Sequence, residues 1–268
     1  MKKILAVLLA LMLVMAFVAC TEPEETPETP EENVETPVAS DADVETPVAS
    51  DADVEEPAVE PVKVMTHEEY IAAALDTEVV IETYVQAHQS WWDNKVTVYC
   101  QSSDGAYFLY ELACSEEDAA KLLPGTKIRV TGTKGEWAGE VEVMEGTFEF
   151  VEGGDTYIAE AFDATALLFA TPEEIIAHQN EFVTFKGMTV DSIEFKNGEP
   201  GDDIYVTLLY GGQQYNFCVE YYLTGADTEV YKTVSGLVGG EMVDVEAFLY
   251  WYEGMNPHIT AVTVVDAF

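Results

Sequence analysis

The chain has 268 residues, and 51 Asp and Glu against 11 Lys and Arg give it a net charge of −40 at pH 7. Such an acidic chain favours neutral or cationic partners. Nucleic-acid binders neutralise several phosphates with Lys and Arg, whereas the part of the chain after residue 63 holds 8 basic and 36 acidic residues. The charge therefore predicts no nucleic-acid partner and no binding to anionic lipid headgroups.

Residues 1–19 have the organisation of an export signal. Lys2 and Lys3 precede an apolar run of 15 residues, Ile4–Val18. As a helix this run reaches roughly 22 Å, short of the roughly 30 Å of a bilayer core, which is typical of a signal peptide. The run ends in Phe17-Val18-Ala19-Cys20, which resembles the lipobox of bacterial lipoproteins, with Phe17 in place of the usual Leu.

The lipobox resemblance implies that the thiol of Cys20 carries a diacylglyceryl group. Two acyl chains hold a protein stably on a bilayer. The expected location is therefore the outer face of the cell membrane, with the lipid bilayer as a partner through acylated Cys20. Ordinary secretion with an incidental Cys is the alternative.

Residues 20–63 have the composition of a disordered stalk. Thr21–Val62 contains no Leu, Ile, Met, Phe, Tyr or Trp, but holds 15 of the 51 acidic residues and 7 of the 11 prolines. The unit ETPVASDADV occurs at Glu35–Val44 and again at Glu45–Val54. Because such a segment cannot bury enough apolar surface to offset its ordering entropy, we expect an extended acidic spacer. At about 3 Å per residue it reaches on the order of 100 Å.

The remaining chain contains two copies of one unit. The first opens with Thr66-His67-Glu68-Glu69 and the second with Thr171-Pro172-Glu173-Glu174, and both openings are helix capping boxes. In each copy an alternating strand, a hairpin, a capped helix and two more strands follow. The repeat predicts two domains, residues 64–168 and 169–268.

The order of elements in each copy resembles the OB-fold, a five-stranded Greek-key barrel with a helix between its third and fourth strands. The resemblance is carried by the hairpin strands Val96–Tyr99 and Gly105–Phe108 and by Pro124–Gly132. It implies an all-β protein with short helices, built as two tandem five-stranded OB-like barrels after the disordered acidic stalk. A β-sandwich of another topology is the alternative.

The sequence shows no recognisable catalytic or metal motif. It lacks a nucleophile elbow, a phosphate loop and a zinc-protease motif. Cys100, Cys114 and Cys218 lack metal-ligand spacing and lie in apolar β-like runs, which favours buried free thiols over a Cys100–Cys114 disulfide. We therefore expect no catalytic residue, no metal and no cofactor. A hydrolase that uses unrecognised carboxylates is an alternative, because a carboxylate pair cannot be distinguished in so acidic a chain.

Aromatic residues mark a candidate binding face. In OB-folds, the loop between strands one and two and the loop between strands four and five frame the ligand. The corresponding loops, 88–94, 134–139 and 250–258, hold all four tryptophans of the chain. The candidate ligand-binding residues are Trp91, Trp92, Trp137, Tyr250, Trp251, Tyr252 and His258.

Trp and Tyr offer large rigid contact surfaces with a polar group, which suits a neutral glycan or an envelope protein. Packing is the alternative for each Trp. Adjacent strand residues point to opposite faces, so one of Trp91 and Trp92 is expected to fill a barrel end, and Trp251 is able to seal an interface. The sequence thus predicts a non-catalytic, membrane-anchored extracellular binding module. A purely structural or assembly role is the alternative.

Overall fold

A computed structural model of the chain describes residues 62–265. The predicted signal peptide, Cys20 and the stalk up to residue 61 lie outside the described residues. The first half of the described part contains five strands and two short helices. In chain order these are α1 (His67–Ala72), β1 (Glu78–His88), β2 (Lys95–Ser102), β3 (Gly105–Ala113), α2 (Glu116–Ala119), β4 (Lys127–Trp137) and β5 (Glu140–Phe150).

The second half contains six strands, three helices and one 3-10 turn. In chain order these are β6 (Phe162–Asp163), the 3-10 helix Thr165–Phe169, α3 (Pro172–Ile176), β7 (Phe182–Phe195), β8 (Ile204–Tyr210), β9 (Gln213–Val219), α4 (Tyr221–Thr224), α5 (Glu229–Gly236), β10 (Met242–Phe248) and β11 (His258–Val265).

Both halves close into barrels with the same strand order. The first barrel runs β1-β2-β3-β5-β4, and β4 pairs back with β1. The second runs β7-β8-β9-β11-β10, and β10 pairs back with β7. In each barrel the third and fifth strands are parallel, and helices lie between the third and fourth strands. This is the OB topology, so the prediction of an all-β protein with short helices and tandem OB-like barrels is confirmed.

Alternating side chains form the two cores. In β1, Val79, Ile81 and Val85 point into the first barrel and are fully buried. The second barrel is filled in the same way from all of its strands, and α5 adds Tyr231 and Val234 to that core. The side chain of Thr228 accepts a hydrogen bond from the backbone N–H of Tyr231 and so fixes the start of α5.

A buried lysine holds α1 against the first barrel. The capping box of Thr66 and Glu69 begins this helix. At its end, Nζ of Lys134 on β4 donates to the carbonyls of Tyr70 (2.9 Å), Ile71 (2.8 Å) and Ala73 (2.8 Å). A cation at the C-terminal carbonyls of a helix is favourable, because these groups carry partial negative charge and lack intrahelical partners. Although burial lowers the pKa of Lys134, its ammonium group is thus fully hydrogen-bonded.

The connection after β5 belongs with the second barrel from residue 162 onward. β6 pairs in parallel with β7, and Ala164 and Leu168 lie in the second core. These contacts place residues 162–168 with the second barrel, across the sequence-based division at residue 168. Before them, the amide of Gln86 binds the connecting chain through Tyr157 O and Ala159 N.

The two barrels share an aromatic interface. Tyr99, Phe108 and Phe248 form a buried cluster between them. Tyr99 stacks on Phe248 with ring centroids 4.7 Å apart, and its hydroxyl lies 2.6 Å from Nδ1 of His258. The backbone N–H of Phe182 donates to the side chain of Gln101 across the same interface. The described residues 62–265 accordingly belong to a single compact unit.

Cys100, Cys114 and Cys218 are all buried and free. Burial raises the pKa of each thiol, to about 11 for Cys114. These residues therefore behave as small apolar side chains rather than as reactive thiolates. Among residues 62–265, none of the helices is both long and apolar enough to cross a bilayer.

Candidate functional site: a cleft between the two barrels

A cleft of about 1030 Å³ lies between the two barrels, and we call it the inter-barrel cleft. Both barrels line it. The first barrel contributes Gln89, Phe108, Tyr110, Glu136, Trp137, Glu142 and Met144. The second contributes Lys196, Asp203, Tyr205, Val206, Thr207, Asn216, Phe217, Cys218, Glu220, Tyr250, Tyr252, Asn256 and His258.

On the second barrel the cleft coincides with the surface that OB-folds use for ligands. That surface consists of the second and third strands together with the one–two and four–five loops. Tyr205 on β8 and Asn216 on β9 supply the strand part. Asp203 comes from the loop between β7 and β8, and Tyr252 and Asn256 come from the loop between β10 and β11.

On the first barrel the cleft is bordered by the outer face of β5. Val141 and Val143 pack on the first core, so the alternate residues Glu140 and Glu142 point away from it. On an isolated barrel these two carboxylates would be in water. Here the second barrel covers them, so Glu140 is fully buried and Glu142 is only 4% exposed.

The two buried carboxylates differ in their hydrogen bonds. Glu140 accepts from Asn180 Nδ2 at 2.6 Å and from the backbone N–H of Trp251 at 2.9 Å. Burial nevertheless raises its pKa well above the usual range. Glu142 has no hydrogen-bond donor among residues 62–265, and burial, followed by the negative charge of Glu111, raises its pKa to about 7. Glu140 thus joins the barrels, whereas Glu142 is left unpaired at the cleft.

A second carboxyl group with a raised pKa lies on the opposite wall. Burial raises the pKa of Glu220 to about 7, against the opposing effect of the backbone N–H of Leu223, which donates to this carboxylate at 2.6 Å. The side-chain oxygen Oδ1 of Asn256, another lining residue, is buried without a partner among the described residues and does not face open space. Glu142 is therefore the buried lining carboxylate that the described residues leave without a donor.

Aromatic rings form the other part of the lining. Tyr250 stacks on His258 with centroids 4.2 Å apart and meets the ring of Phe108 edge-on at 5.1 Å. The rings of Trp137 and Tyr252, one from each barrel, have their centroids 5.1 Å apart. Both are accessible, since 55% of Trp137 and 45% of Tyr252 are exposed. A planar ligand is able to stack on this pair.

Four of the seven predicted binding residues line the cleft: Trp137, Tyr250, Tyr252 and His258. His258, however, was expected in a loop and is instead the buried first residue of β11. Its Nδ1 is engaged by the hydroxyl of Tyr99, and burial lowers its pKa to about 3, so the imidazole is neutral. His258 is thus engaged in a hydrogen bond between the two barrels.

The other three predicted residues lie elsewhere. Trp251 packs its indole on Gly139, and its backbone N–H binds Glu140, so it seals the interface between the barrels. Trp91 donates from Nε1 to the carbonyl of Cys114 at 2.9 Å and packs against the first core. Trp92 is 68% exposed and borders a separate cavity of about 630 Å³ beside Lys95 and Tyr222.

Sequence reasoning missed several polar lining residues, in particular Glu142, Glu220 and Asn256. Glu142 lies in the alternating run Glu140-Val141-Glu142-Val143, which is typical of a strand with one face in water. The pattern identifies the outward face, but it does not show that a second barrel covers that face. In the described part of the chain no group of three or more His, Cys, Asp and Glu residues is arranged to hold a metal ion.

No protein-family model and no curated protein sequence matches the chain. Solved structures are similar in fold. One is the "Crystal structure of p204 HINb domain", at 10% identity and a TM-score of 0.33, with 72% of this chain and 100% of that one covered. Another is the "Structure of murine DNA binding protein bound with ds DNA", at 10% identity and a TM-score of 0.35, covering 70% and 96%.

A third is the "Crystal structure of Ifi202 HINa domain in complex with 20bp dsDNA", at 6% identity and a TM-score of 0.33, covering 70% and 98%. Two of these structures are described with double-stranded DNA, which contradicts the exclusion of nucleic acid that was drawn from net charge. The physical reason is that net charge is a sum over the whole chain and does not describe how charge is distributed over a binding surface. The exclusion is wrong.

Proposed function

We propose that this chain is an exported, lipid-anchored protein of the outer face of the cell membrane, and that it binds a glycan in the inter-barrel cleft without catalysing a reaction. The observation that carries the proposal is the position of the cleft. It lies on the OB ligand surface of the second barrel and presents the exposed pair Trp137 and Tyr252.

The chemistry of the lining supports a glycan. Sugar rings have apolar faces that stack on Trp and Tyr, and their hydroxyl groups donate hydrogen bonds to carboxylate and amide oxygens. The cleft combines such rings with the carboxyl groups of Glu142 and Glu220 among its lining residues. Its volume of about 1030 Å³ is at the upper end of the usual range for small-molecule sites, which leaves space for an oligosaccharide.

A binding screen tests the proposal. The full-length protein, extracted from membranes in detergent, is titrated with neutral and amino-sugar oligosaccharides while tryptophan fluorescence is recorded. We expect saturable binding that Trp137→Ala weakens by at least about 1 kcal/mol, because this substitution removes a stacking surface. Trp92→Ala is the matched control, since Trp92 is also exposed but lies outside the cleft.

Other outcomes of the screen contradict the proposal. Envelope proteins and single- and double-stranded oligonucleotides are included as competing ligands. Binding of one of these in the cleft, with no binding of any glycan, would show that the ligand class is wrong. Release of shorter sugars from a bound oligosaccharide would instead show a hydrolase. If no ligand of any class binds, a structural or assembly role is favoured.

The anchor is tested separately. Wild-type protein is expected to partition with membranes, and Cys20→Ala is expected to lose this partitioning, because the thiol that receives the lipid is absent. Equal release of both proteins into the medium would contradict lipid anchoring. A Cys100→Ala variant is the matched control, because that thiol is buried in the first barrel.

A further inference from the structure

We propose that the inter-barrel cleft binds a primary ammonium group of its ligand at Glu142 of the first barrel, with Tyr250 of the second barrel lining the same site. The proposal rests on the function proposed above and names the ligand class: a glycan with free, unacetylated amino groups.

An unpaired carboxylate is the first observation. The side chain of Glu142 lines the cleft, is only 4% exposed and has no donor among the described residues. Tyr250 and Asn256 line the same cleft and lie next to each other, since the backbone N–H of Asn256 donates to the carbonyl of Tyr250. A desolvated carboxylate without a donor is costly, so Glu142 points to a ligand that brings donors.

The charge of the lining is the second observation. Four acidic residues, Glu136, Glu142, Asp203 and Glu220, face one basic residue among the described lining residues, Lys196. Nζ of Lys196 is 2.9 Å from Asp203 and 3.3 Å from Asp202, so its charge is already paired. The remaining carboxylates create a negative potential that attracts a cation and repels an anion.

An ammonium group fits these conditions better than a hydroxyl group. Both donate hydrogen bonds, but a hydroxyl leaves the charge of a buried carboxylate uncompensated, whereas an ammonium group supplies three donors and the opposite charge. The ring of Tyr250 lines the same cleft as Glu142 and Glu220, and an aromatic face adds attraction for a cation.

Ionisation of the lining is consistent with such a ligand. Glu142 and Glu220 both have pKa values near 7, because burial disfavours their charged forms. A bound cation favours the charged form of a neighbouring carboxyl group and lowers its pKa. Binding of an ammonium group near neutral pH is therefore expected to release protons from the cleft.

The experiment compares three probes on the full-length protein in detergent. These are a glucosamine oligosaccharide, the N-acetylglucosamine oligosaccharide of equal length, and a lysine oligopeptide. We expect the glucosamine oligomer to bind roughly tenfold or more tightly than its acetylated counterpart, because acetylation removes the charge. Glu142→Gln should abolish this preference, because the amide carries no charge to pair with the ammonium group. Glu246→Gln, which removes one exposed carboxylate from β10, is the matched control and should keep the preference.

A second measurement on wild-type protein does not depend on a folded variant. Titration calorimetry at about pH 6, where the sugar amine is already largely protonated and Glu142 is largely neutral, counts protons in two buffers of different ionisation enthalpy. We expect net proton release with the glucosamine oligomer and none with the acetylated one. Equal affinity for the two oligomers, or no proton release, overturns the ammonium site. If both oligomers bind equally, the glycan-binding function still stands. If only the lysine peptide binds and Glu142→Gln abolishes that binding, the ammonium site stands and the glycan proposal fails.

Discussion

The two barrels share one strand order but differ in the loop between their fourth and fifth strands. In the first barrel this loop is the two-residue turn Ala138-Gly139, with φ angles of 53° and 92°. In the second barrel it spans residues 249–257. A tight turn with two positive φ angles matches the twist of a hairpin and projects little beyond the strands, whereas nine residues are long enough to reach another domain.

The loop of residues 249–257 contacts the first barrel. The backbone N–H of Glu253 donates to the carbonyl of Ala138 at 2.7 Å, and that of Trp251 donates to the carboxylate of Glu140. The indole of Trp251 rests on Gly139, where a Cβ atom would lie 2.7 Å from the ring. The long loop of the second barrel thus packs on the short turn of the first. Two barrels of one topology form both sides of an interface here because the length of a single loop differs between them.

The largest expected effect is at the aromatic interface. Phe248→Ala should lower the free energy of unfolding by about 3–5 kcal/mol, because a buried ring between the barrels is replaced by a void. Phe162→Ala is the control, since that ring is 44% exposed, and it should cost less than about 1 kcal/mol. Urea unfolding measures both. Similar losses for the two variants would show that the barrels do not depend on their interface.

A smaller effect concerns the covered face of β5. The pKa of Glu142 is raised from 4.5 to about 7, so the folded state holds its proton more tightly than the unfolded state. The contribution of Glu142 to the free energy of unfolding is therefore present below about pH 4.5 and is lost as the pH rises through about 7. Glu142→Gln removes this dependence and should be more stable than wild type above neutral pH by about 1–3 kcal/mol.

Urea unfolding of wild type and Glu142→Gln at several pH values from about 4.5 to above 7 checks this expectation. Glu246→Gln, on an exposed face of the second barrel, should follow the wild-type profile. A Glu142→Gln profile parallel to that of wild type would mean that the second barrel does not desolvate this carboxyl group.

The next effect tests the hydrogen bond between the barrels. Tyr99→Phe should cost about 1–2 kcal/mol, because it leaves the buried Nδ1 of His258 without its partner. Tyr222→Phe, at a ring that is 55% exposed, should change stability by less than about 0.5 kcal/mol. Thermal and urea unfolding at neutral pH compare the two. No loss for Tyr99→Phe would show that water replaces the hydroxyl.

The smallest effect separates two adjacent tryptophans. Trp92→Ala should leave stability within about 0.5 kcal/mol, since its indole is largely in water. The same substitution at Trp91 should cost several times more, because its indole packs on the first core and binds the carbonyl of Cys114. Equal losses, measured by urea unfolding, would contradict this assignment of packing to one residue and exposure to the other.

Much of the fold could be predicted from local patterns. The capping boxes at Thr66 and Thr171 begin helices as expected, and alternation in β1 and β7 marks barrel strands. These features are encoded within a few residues of each other. The loop that carries Tyr252 was also predicted, because strand order fixes which loops of an OB barrel frame its ligand surface. Trp137, which was expected in the loop 134–139, is instead the last residue of β4, because the pairing with β5 continues to Trp137 and Glu140.

The rest depends on contacts between distant parts of the chain. In β2, Val98 faces the first core while Tyr99 faces the second barrel, and both are buried. A strand that is buried on both faces does not reveal which partner covers each face. The burial of Glu142 and the pairing of Tyr99 with His258 likewise arise only when the second barrel docks. The four–five loop of the second barrel was therefore predictable, whereas the burial of the unpaired Glu142 carboxylate in the cleft was not.

The hydrogen bonds of Lys134 to α1 have a mechanical consequence. A pull on the chain before α1 would reach the first barrel through Met65, whose backbone N–H donates to the carbonyl of Val80, and through α1 itself. Because the ammonium group of Lys134 binds three carbonyls at the end of that helix, the helix cannot be separated from the barrel without also pulling on β4. β4 in turn is paired with β1 and β5. Such a pull would thus strain the closed barrel as a whole, and the time for which the protein withstands it would follow the unfolding rate of that barrel.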